Sequence, residues 1–134
     1  MAIGSKHNKK PTIHIVEEDS IVREGLVRLC SRLDADIEAY ASIDDLLKPC
    51  RPAPPGCVVV EVNLTKNEVA QLLQRLHNGD AGVPVIFLSS GSDIETAVEV
   101  MREGAFDFIE KPFLSRKLLH RIDEAVRASA RFDV

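Results

Sequence analysis

The sequence predicts an α/β fold in which five parallel strands form an open, doubly wound sheet with five helices packed on its faces. Apolar runs of strand length alternate with segments whose apolar residues recur at helical spacing. Two of the runs, residues 57–60 and 85–88, are continuously apolar, which is typical of parallel strands buried on both faces. The 134 residues match the length of one domain. Such an alternation favours a parallel sheet between two helical layers.

The chain begins with a strand, a helix and a second strand. Residues 12–16 form a β-branched run without turn residues, which predicts the first strand. Asp19 or Ser20 can cap the helix that follows. Its apolar positions recur at helical spacing and are Ile21, Val22, Leu26, Leu29, Cys30 and Leu33. Residues 37–40 predict the second strand.

A short helix and a loop precede the third strand. Ser42 and Asp45 are three residues apart and resemble a capping box, and Pro49 ends the helix that this box opens. The proline and glycine content of residues 51–56 predicts a loop. Residues 57–60 then form the first of the two strands that we expect at or beside the centre of the sheet.

The second half of the chain alternates three helices with two strands. Asn78-Gly79 stops the third helix, Asp93 opens the fourth helix and Gly104 closes it. Residues 106–109 predict the fifth strand. The apolar positions of these helices are Val69, Leu72, Leu73 and Leu76, then Ile94, Ala97, Val98 and Met101, then Leu118, Leu119, Ile122, Ala125 and Val126.

Composition and charge exclude several classes of protein. A net charge of −4 argues against a nucleic-acid binder, whose surface would be strongly basic. No apolar run approaches the roughly 20 residues of a membrane helix, so neither a membrane partner nor a spanning segment is expected. The three cysteines, Cys30, Cys50 and Cys57, match no paired metal or disulfide spacing, which favours buried thiols in a reducing cytoplasm.

The domain organisation follows from the same pattern. Residues 1–11 carry a basic cluster before any periodic segment, and we expect a flexible tail there. Residues 12–128 form the predicted domain. Residues 129–134 are expected to be a C-terminal tail or the start of a linker.

Polar side chains follow four of the predicted strands. Open parallel sheets bind ligands beyond the carboxyl ends of their strands, so these side chains predict a site. Each has a plainer interpretation, as a helix cap, a loop serine or a surface lysine. Glu61 is the exception, because a carboxylate at a buried strand end is costly unless paired, and Lys111 is the available cation. The side chains are Glu17, Glu18 and Asp19, then Glu61, then Ser89 and Ser90, then Lys111 before Pro112.

Four motifs carry a family likeness. They are Ile15-Val16-Glu17-Glu18, Val58-Val59-Val60-Glu61, Phe87-Leu88-Ser89-Ser90 and Gly104-Ala105-Phe106-Asp107-Phe108-Ile109-Glu110-Lys111-Pro112-Phe113. With them, residues 12–128 resemble the receiver domain of bacterial response regulators, the CheY-like class with a flavodoxin-like sheet. Receivers attached to LuxR-type DNA-binding domains are the most similar kind. The resemblance implies a role in two-component (phosphorelay) signal transduction and in transcription regulation.

The resemblance also implies roles for individual residues. Glu61 stands at the phosphoacceptor position, where the family has aspartate. Ser89 takes the switch-hydroxyl role, Phe108 the switching aromatic, and Lys111 the phosphoryl-gripping cation before a cis peptide bond to Pro112. The carboxylates of Glu17, Glu18 and Glu61 and the carbonyl of Asn63 would hold Mg²⁺.

Three departures from the family pattern predict that this chemistry is lost. The loop after Glu61, residues 64–69, lacks the family's usual proline and glycine, and Lys66 in it places a second cation near the site. Glu61 is one methylene longer than aspartate, which moves its carboxylate by roughly 1.3 Å, judged from backbone single-bond lengths. The acidic pair is Glu17-Glu18, without the usual aspartate. Mg²⁺ requires near-ideal octahedral geometry at about 2.0–2.1 Å, so such shifts weaken or abolish its binding.

These residues lead to three functional hypotheses. The preferred hypothesis is a degenerate, phosphorylation-independent receiver that acts as a protein-interaction and regulatory module. The alternative is a functional receiver that accepts a phosphoryl group from a histidine kinase with Mg²⁺. An enzyme or nucleotide-binding domain is disfavoured because no glycine-rich phosphate loop follows a strand.

The expected partners follow from the preferred hypothesis. They are a histidine kinase or other signalling protein. The resemblance also implies an output face of helix 4, strand 5 and helix 5 that can support a homodimer.

Overall fold

The computed structural model builds a parallel sheet from the five predicted strands, which confirms the predicted fold class. It describes residues 10–48, 52–61, 66–77, 82–91 and 94–130. The elements are β1 (Thr12–Glu17), α1 (Ser20–Cys30), β2 (Asp36–Tyr40), α2 (Ile43–Leu47), β3 (Gly56–Glu61), α3 (Lys66–His77), β4 (Val85–Ser89), α4 (Ile94–Arg102), β5 (Asp107–Glu110) and α5 (Ser115–Ala130).

The strand order is β2-β1-β3-β4-β5, so the two continuously apolar strands lie at the centre and beside it, as predicted. In β3 the side chains alternate between two apolar clusters, one on each face of the sheet. Val58 and Val60 pack under α2, α3 and α4, whereas Cys57 and Val59 pack under α1 and α5. Burial on both faces explains why this strand contains no alternating polar residue.

Local capping fixes where several helices begin and end. The Asp19 carboxylate accepts hydrogen bonds from the N–H groups of Ile21 and Val22, so Asp19 rather than Ser20 caps α1. The Ser42 hydroxyl accepts from the Asp45 N–H, as the capping-box pattern predicted. Gly104 follows α4 with a φ of 105°, a left-handed conformation that favours glycine.

Gly56 is the first residue of β3, although its composition placed it in a loop. It pairs with Thr12 in the parallel ladder, and a Cβ at this position would overlap the Thr12 carbonyl oxygen. Its N–H donates to the Ser129 hydroxyl at 2.8 Å, and that hydroxyl in turn donates to the Val126 carbonyl. A hydrogen bond between two residues that are 73 positions apart in the sequence therefore helps to set the start of β3.

The predicted domain limits differ from the ordered elements by a few residues. α5 continues to Ala130, past the expected limit at 128, because buried Ser129 ties it to β3. At the other end, the Pro11 carbonyl accepts from the Asp36 N–H at 2.9 Å. Residues 1–9 and 131–134, the predicted cap at Asp93 and the predicted stop at Asn78-Gly79 lie outside the described residues.

The described cysteines are buried free thiols, as expected. Burial raises the pKa of Cys30 to about 11, and burial together with the nearby Cys30 thiol raises the pKa of Cys57. Cys50 lies outside the described residues. Within the described part of the chain, none of the helices is long and apolar enough to cross a bilayer.

Candidate functional site

The carboxyl ends of β1, β3 and β4, together with the residue that follows β5, surround one concave pocket of about 530 Å³. We call it the rim pocket, and it contains the acidic, hydroxyl and ammonium side chains that the strand-end rule selected. It also includes three residues that the rule did not select. Its lining residues are Glu17, Glu18, Asp19, Val22, Glu61, Glu68, Leu88, Ser89, Ser90 and Lys111.

Glu61 and Lys111 form an ion pair in this pocket through the Glu61 Oε1 atom and the Lys111 ammonium. The Glu61 side chain is only 9% exposed and that of Lys111 is 34% exposed. The second carboxylate oxygen of Glu61, Oε2, is buried and has no hydrogen-bond partner among the described residues. A buried carboxylate needs compensation, and Lys111 provides it at one of the two oxygens.

Backbone pairing holds the two partners in place. Glu61 lies level with Glu17 in β1 and Leu88 in β4 in the ladder. The Lys111 N–H donates to the Ser89 carbonyl at 2.8 Å, which ties the residue after β5 to the end of β4. The Lys111–Pro112 peptide bond is cis. The hydrogen bond between Lys111 and Ser89 therefore keeps the backbone at Lys111 beside the end of β4.

The acidic side chains after β1 already have internal partners. Glu17 is buried, and its Oε1 atom accepts a hydrogen bond from the Asp19 N–H at 3.0 Å. Asp19 caps α1, while Glu18 is exposed. The Arg23 guanidinium donates to the Glu17 carbonyl at 2.8 Å and holds this turn against α1. Asp19 therefore has a structural role in addition to lining the pocket.

Glu68 belongs to the rim pocket but was missed by sequence reasoning. It lies in the first turn of α3, and a helix that follows a parallel strand begins at the same edge of the sheet where that strand ends. The acidic first turn after β3 was a signal that could have found it. Ser89 is buried in the pocket wall and Ser90 is exposed.

Phe108 does not line the rim pocket. It lies in β5 beside Phe87 of β4, is half-buried, and packs against the apolar cluster under α2, α3 and α4. Asn63, the expected carbonyl ligand, lies outside the described residues. The rim pocket thus contains Glu17, Glu18, Glu61, Ser89 and Lys111 of the predicted set.

The carboxylate oxygens that the structure describes in the rim pocket are not arranged as a Mg²⁺ site. One oxygen of Glu61 is bound to an ammonium group, and one oxygen of Glu17 is bound to a backbone N–H. Across the described ranges, no three His, Cys, Asp or Glu side chains come together at metal-ligand spacing. Glu61 keeps a second oxygen, Oε2, without a hydrogen-bond partner, but an octahedral Mg²⁺ site would need further oxygens around it at about 2.0–2.1 Å.

A second buried polar group lies away from the rim pocket, on β1. His14 is 8% exposed, stacks on Tyr40 with ring centroids 6.2 Å apart, and its Nδ1 atom has no partner among the described residues. Burial lowers the pKa of His14, and the Glu38 carboxylate partly opposes that effect. The Tyr40 hydroxyl donates to Glu38 at 2.7 Å. This group is a titratable part of the core under α2.

Comparison with known proteins gives a consistent result. A family model described as "Response regulator receiver domain" matches residues 13–123. The transcriptional regulatory protein TdiR of Thauera aromatica is 30% identical over 123 residues, which cover 92% of this chain and 54% of TdiR. The C4-dicarboxylate transport transcriptional regulatory protein DctR of Rhodobacter capsulatus is 35% identical over 121 residues, covering 89% of this chain and 60% of DctR. The chain therefore spans little more than half the length of these relatives.

The fold has close counterparts among solved structures. The response regulator receiver protein from Pseudoalteromonas atlantica superimposes with a TM-score of 0.76 at 32% identity. That alignment covers 88% of this chain and 98% of the solved chain.

Proposed function

The chain belongs to the response regulator receiver domain family, and we propose from its rim pocket that it is a two-component receiver that works without phosphorylation. In this proposal Glu61 occupies the phosphoacceptor position, and the domain acts as a protein-interaction module. A histidine kinase or another signalling protein in the cytoplasm is its partner. The full-length relatives TdiR and DctR are named as transcriptional regulatory proteins. We propose the same role for the protein that contains this domain.

The ion pair between Glu61 and Lys111 is the observation that carries the proposal. The glutamate carboxylate reaches the cation that would otherwise grip a phosphoryl group. A permanent negative charge beside Lys111 and Ser89 then imitates part of the phosphorylated state. The buried position of Glu61 strengthens this electrostatic contact relative to one in open solvent.

Magnitudes limit how far this imitation can go. Moving a two-state switch from 1:99 to 99:1 requires about 5.5 kcal/mol of differential stabilisation. One charge-assisted hydrogen bond contributes roughly 1.5–3 kcal/mol. Glu61 therefore biases the domain toward its output state and leaves room for a partner to complete the shift.

We place the output on the face built by α4, β5 and α5, and propose a second copy of the domain as its partner there. Ile94, Val98 and Met101 form an exposed apolar stripe along α4, and Ile94 is 81% exposed. In an antiparallel two-fold pairing centred near Val98, Glu95 of each copy lies near Arg102 of the other. Both residues are exposed. In the two-fold pair, opposite charges from the two copies therefore meet on each side of the apolar stripe.

Phosphate acceptance tests the central claim. The domain and its Glu61→Asp variant are incubated with Mg²⁺ and acetyl phosphate, and intact mass is measured. We expect no phosphoryl adduct on the native domain, because the glutamate carboxylate is displaced and paired. An adduct on the variant alone identifies Glu61 as the cause. An adduct on the native domain would overturn the proposal and favour a functional phospho-receiver.

A further inference from the structure

The β2 strand and the α2 helix that follows it form a weakly buried edge of the fold. We call residues 36–47 the corner segment. β2 stands at one end of the described sheet and pairs with β1, and none of its five residues is buried. In α2 only Leu46 is buried. Segments with few buried apolar side chains can open locally at a lower free energy than the rest of a domain.

Tyr40 of the corner segment stacks on His14 of β1, with ring centroids 6.2 Å apart. His14 is 8% exposed, and its enclosed Nδ1 atom has no hydrogen-bond partner among the described residues. A neutral imidazole has one N–H donor, whereas a protonated imidazole has two. Protonation in the closed structure would therefore leave the Nδ1–H buried without an acceptor, which is costly.

The charges around His14 act in a definite direction. Burial lowers the pKa of His14, and the Glu38 carboxylate, level with it on β2, partly opposes this effect. On the other side of His14, β3 contributes the apolar Val58. The remaining described charges on β2, α2 and the facing side of α3 are Asp36, Asp44, Asp45, Lys48 and Arg75.

These remaining charges are exposed, and each has a partner of opposite sign. Solvent and pairing weaken their influence on the buried imidazole. Arg51, which follows α2 in the sequence, lies outside the described residues. A cation near His14 would lower its pKa further and could not reverse the direction of the effect.

We propose that uptake of a proton by His14 opens the corner segment from β1, so that residues 36–47 form an acid-sensitive element of the fold. Departure of Tyr40 lets water accept hydrogen bonds from both imidazole N–H groups. The opening breaks the pairing of β2 with β1 and exposes Leu46, while β1, β3, β4 and β5 stay paired. This inference goes beyond the proposed function and does not depend on whether Glu61 accepts phosphate.

Proton linkage sets the sign and size of the effect. In the open segment His14 regains its ordinary pKa of about 6.5, whereas its pKa in the closed structure is lower. The open form therefore takes up the proton first as the pH falls. Between pH 7.5 and 5.5, one such group can raise the equilibrium constant for opening by up to about tenfold.

Native-state hydrogen exchange of the full chain, followed by nuclear magnetic resonance, tests the proposal. Opening constants are measured for the amides of β2 and β3 at pH 7.5 and 5.5 in a series of low urea concentrations, with correction for the intrinsic exchange rate at each pH. We expect a weaker urea dependence for β2 than for β3, because a local opening exposes less surface. The β2 opening constant should rise by up to about tenfold at the lower pH.

Variants assign the effect to His14. His14→Leu should remove the rise, because leucine does not titrate. His14→Gln, which is neutral and polar, covers the case in which leucine disturbs the packing. His120→Leu is the matched control, since it removes an exposed imidazole on α5 and should leave the rise intact.

Two results would overturn the inference. In the first, β2 and β3 amides share one opening constant and one urea dependence at both pH values, which means that the domain opens only as a whole. In the second, the β2 opening constant does not rise at pH 5.5, or rises equally in the native domain and in the His14 variants. A domain that shows the His14-dependent opening and also gains phosphate from acetyl phosphate supports this inference and contradicts only the proposed function.

Discussion

Glu61 at the end of β3 and Lys111 after β5 form an ion pair that spans the end of the intervening strand, β4. The pair thus joins two strands that share no backbone hydrogen bonds with each other. Its energetic contribution can be measured directly, because each partner can be neutralised without a large change of shape.

A double-mutant cycle of Glu61→Gln and Lys111→Met should give a favourable coupling free energy of about 1–3 kcal/mol. Lys111 is about one-third exposed, so solvent screening keeps the value below that of a fully buried pair. Urea unfolding of the four proteins provides the measurement. The exposed Lys48–Asp45 pair serves as a control with expected coupling below about 1 kcal/mol. A coupling for Glu61 and Lys111 within the usual additivity error of about 0.3–0.5 kcal/mol would contradict this prediction.

Ser129→Ala should lower the free energy of unfolding by roughly 1–3 kcal/mol, because the buried Gly56 N–H loses its acceptor. Ser31→Ala is a matched control. Its hydroxyl also donates to a helix carbonyl, that of Val27 at 2.7 Å, but the residue is exposed. Water can replace that bond, so we expect a change below about 0.5 kcal/mol. Equal losses in the two variants would show that burial of the Gly56 contact is unimportant.

His14 should make the domain less stable in mild acid. Burial lowers its pKa in the folded state, so below the unfolded value of about 6.5 the unfolded chain takes up a proton that the folded protein resists. The free energy of unfolding then decreases by up to about 1.4 kcal/mol per pH unit until the folded pKa is reached. Urea unfolding from pH 7.5 to 5 measures this slope.

His14→Leu should flatten that slope, because it removes the titrating group from the core. His120→Leu is the matched control, since it removes an exposed imidazole on α5 without altering the core under α2. A slope that survives unchanged in His14→Leu would assign the acid sensitivity to other groups.

Gly104→Ala and Gly25→Ala should change stability in opposite directions. Gly104 has a φ of 105°, so alanine there costs about 1–2 kcal/mol. Gly25 lies inside α1, and an added methyl group would contact nothing within 4 Å. Alanine there should stabilise the protein by about 0.5–1 kcal/mol through helix propensity. Thermal unfolding checks both, and loss of stability in Gly25→Ala would refute the second part.

The proposed dimer predicts a pattern of charge rescue. Glu95→Arg or Arg102→Glu alone should weaken self-association, whereas the double variant should restore it, because the two-fold axis brings each charge near its opposite. Each exposed pair contributes about 0.2–1 kcal/mol, and the symmetry supplies two pairs. Val98→Lys at the centre should abolish association. Sedimentation velocity measures all four variants. A native domain that remains monomeric at millimolar concentration contradicts the dimer.

The fold could be predicted from local patterns because most of its elements are encoded locally. The continuous apolar runs identified β3 and β4 and their central positions, and Ser42 identified a helix start. Gly56 was assigned wrongly for the opposite reason. Its place in β3 depends on Thr12 and Ser129, which are distant in sequence, whereas its proline-rich neighbours suggested a loop.

The site could be predicted only in part. The strand-end rule identified Glu17, Glu61, Ser89 and Lys111, since parallel strands bring their carboxyl ends to one edge. It could not identify Glu68, which reaches the pocket from the start of a helix. The unpartnered oxygen of Glu61 was also beyond sequence reasoning, because hydrogen-bond satisfaction depends on three-dimensional placement.

β3 has a different role at each of its ends. Glu61 at the carboxyl end belongs to the rim pocket, while Gly56 at the amino end is bound to Ser129 near the end of α5. The six residues from Gly56 to Glu61 span roughly 17 Å, at about 3.3 Å per step. Packing on both faces opposes bending of the strand, so we expect its two ends to move together. A ligand that shifts Glu61 along the strand axis would therefore displace the last turn of α5. This displacement would not require α3 or α4, which lie between β3 and α5 in the sequence, to change.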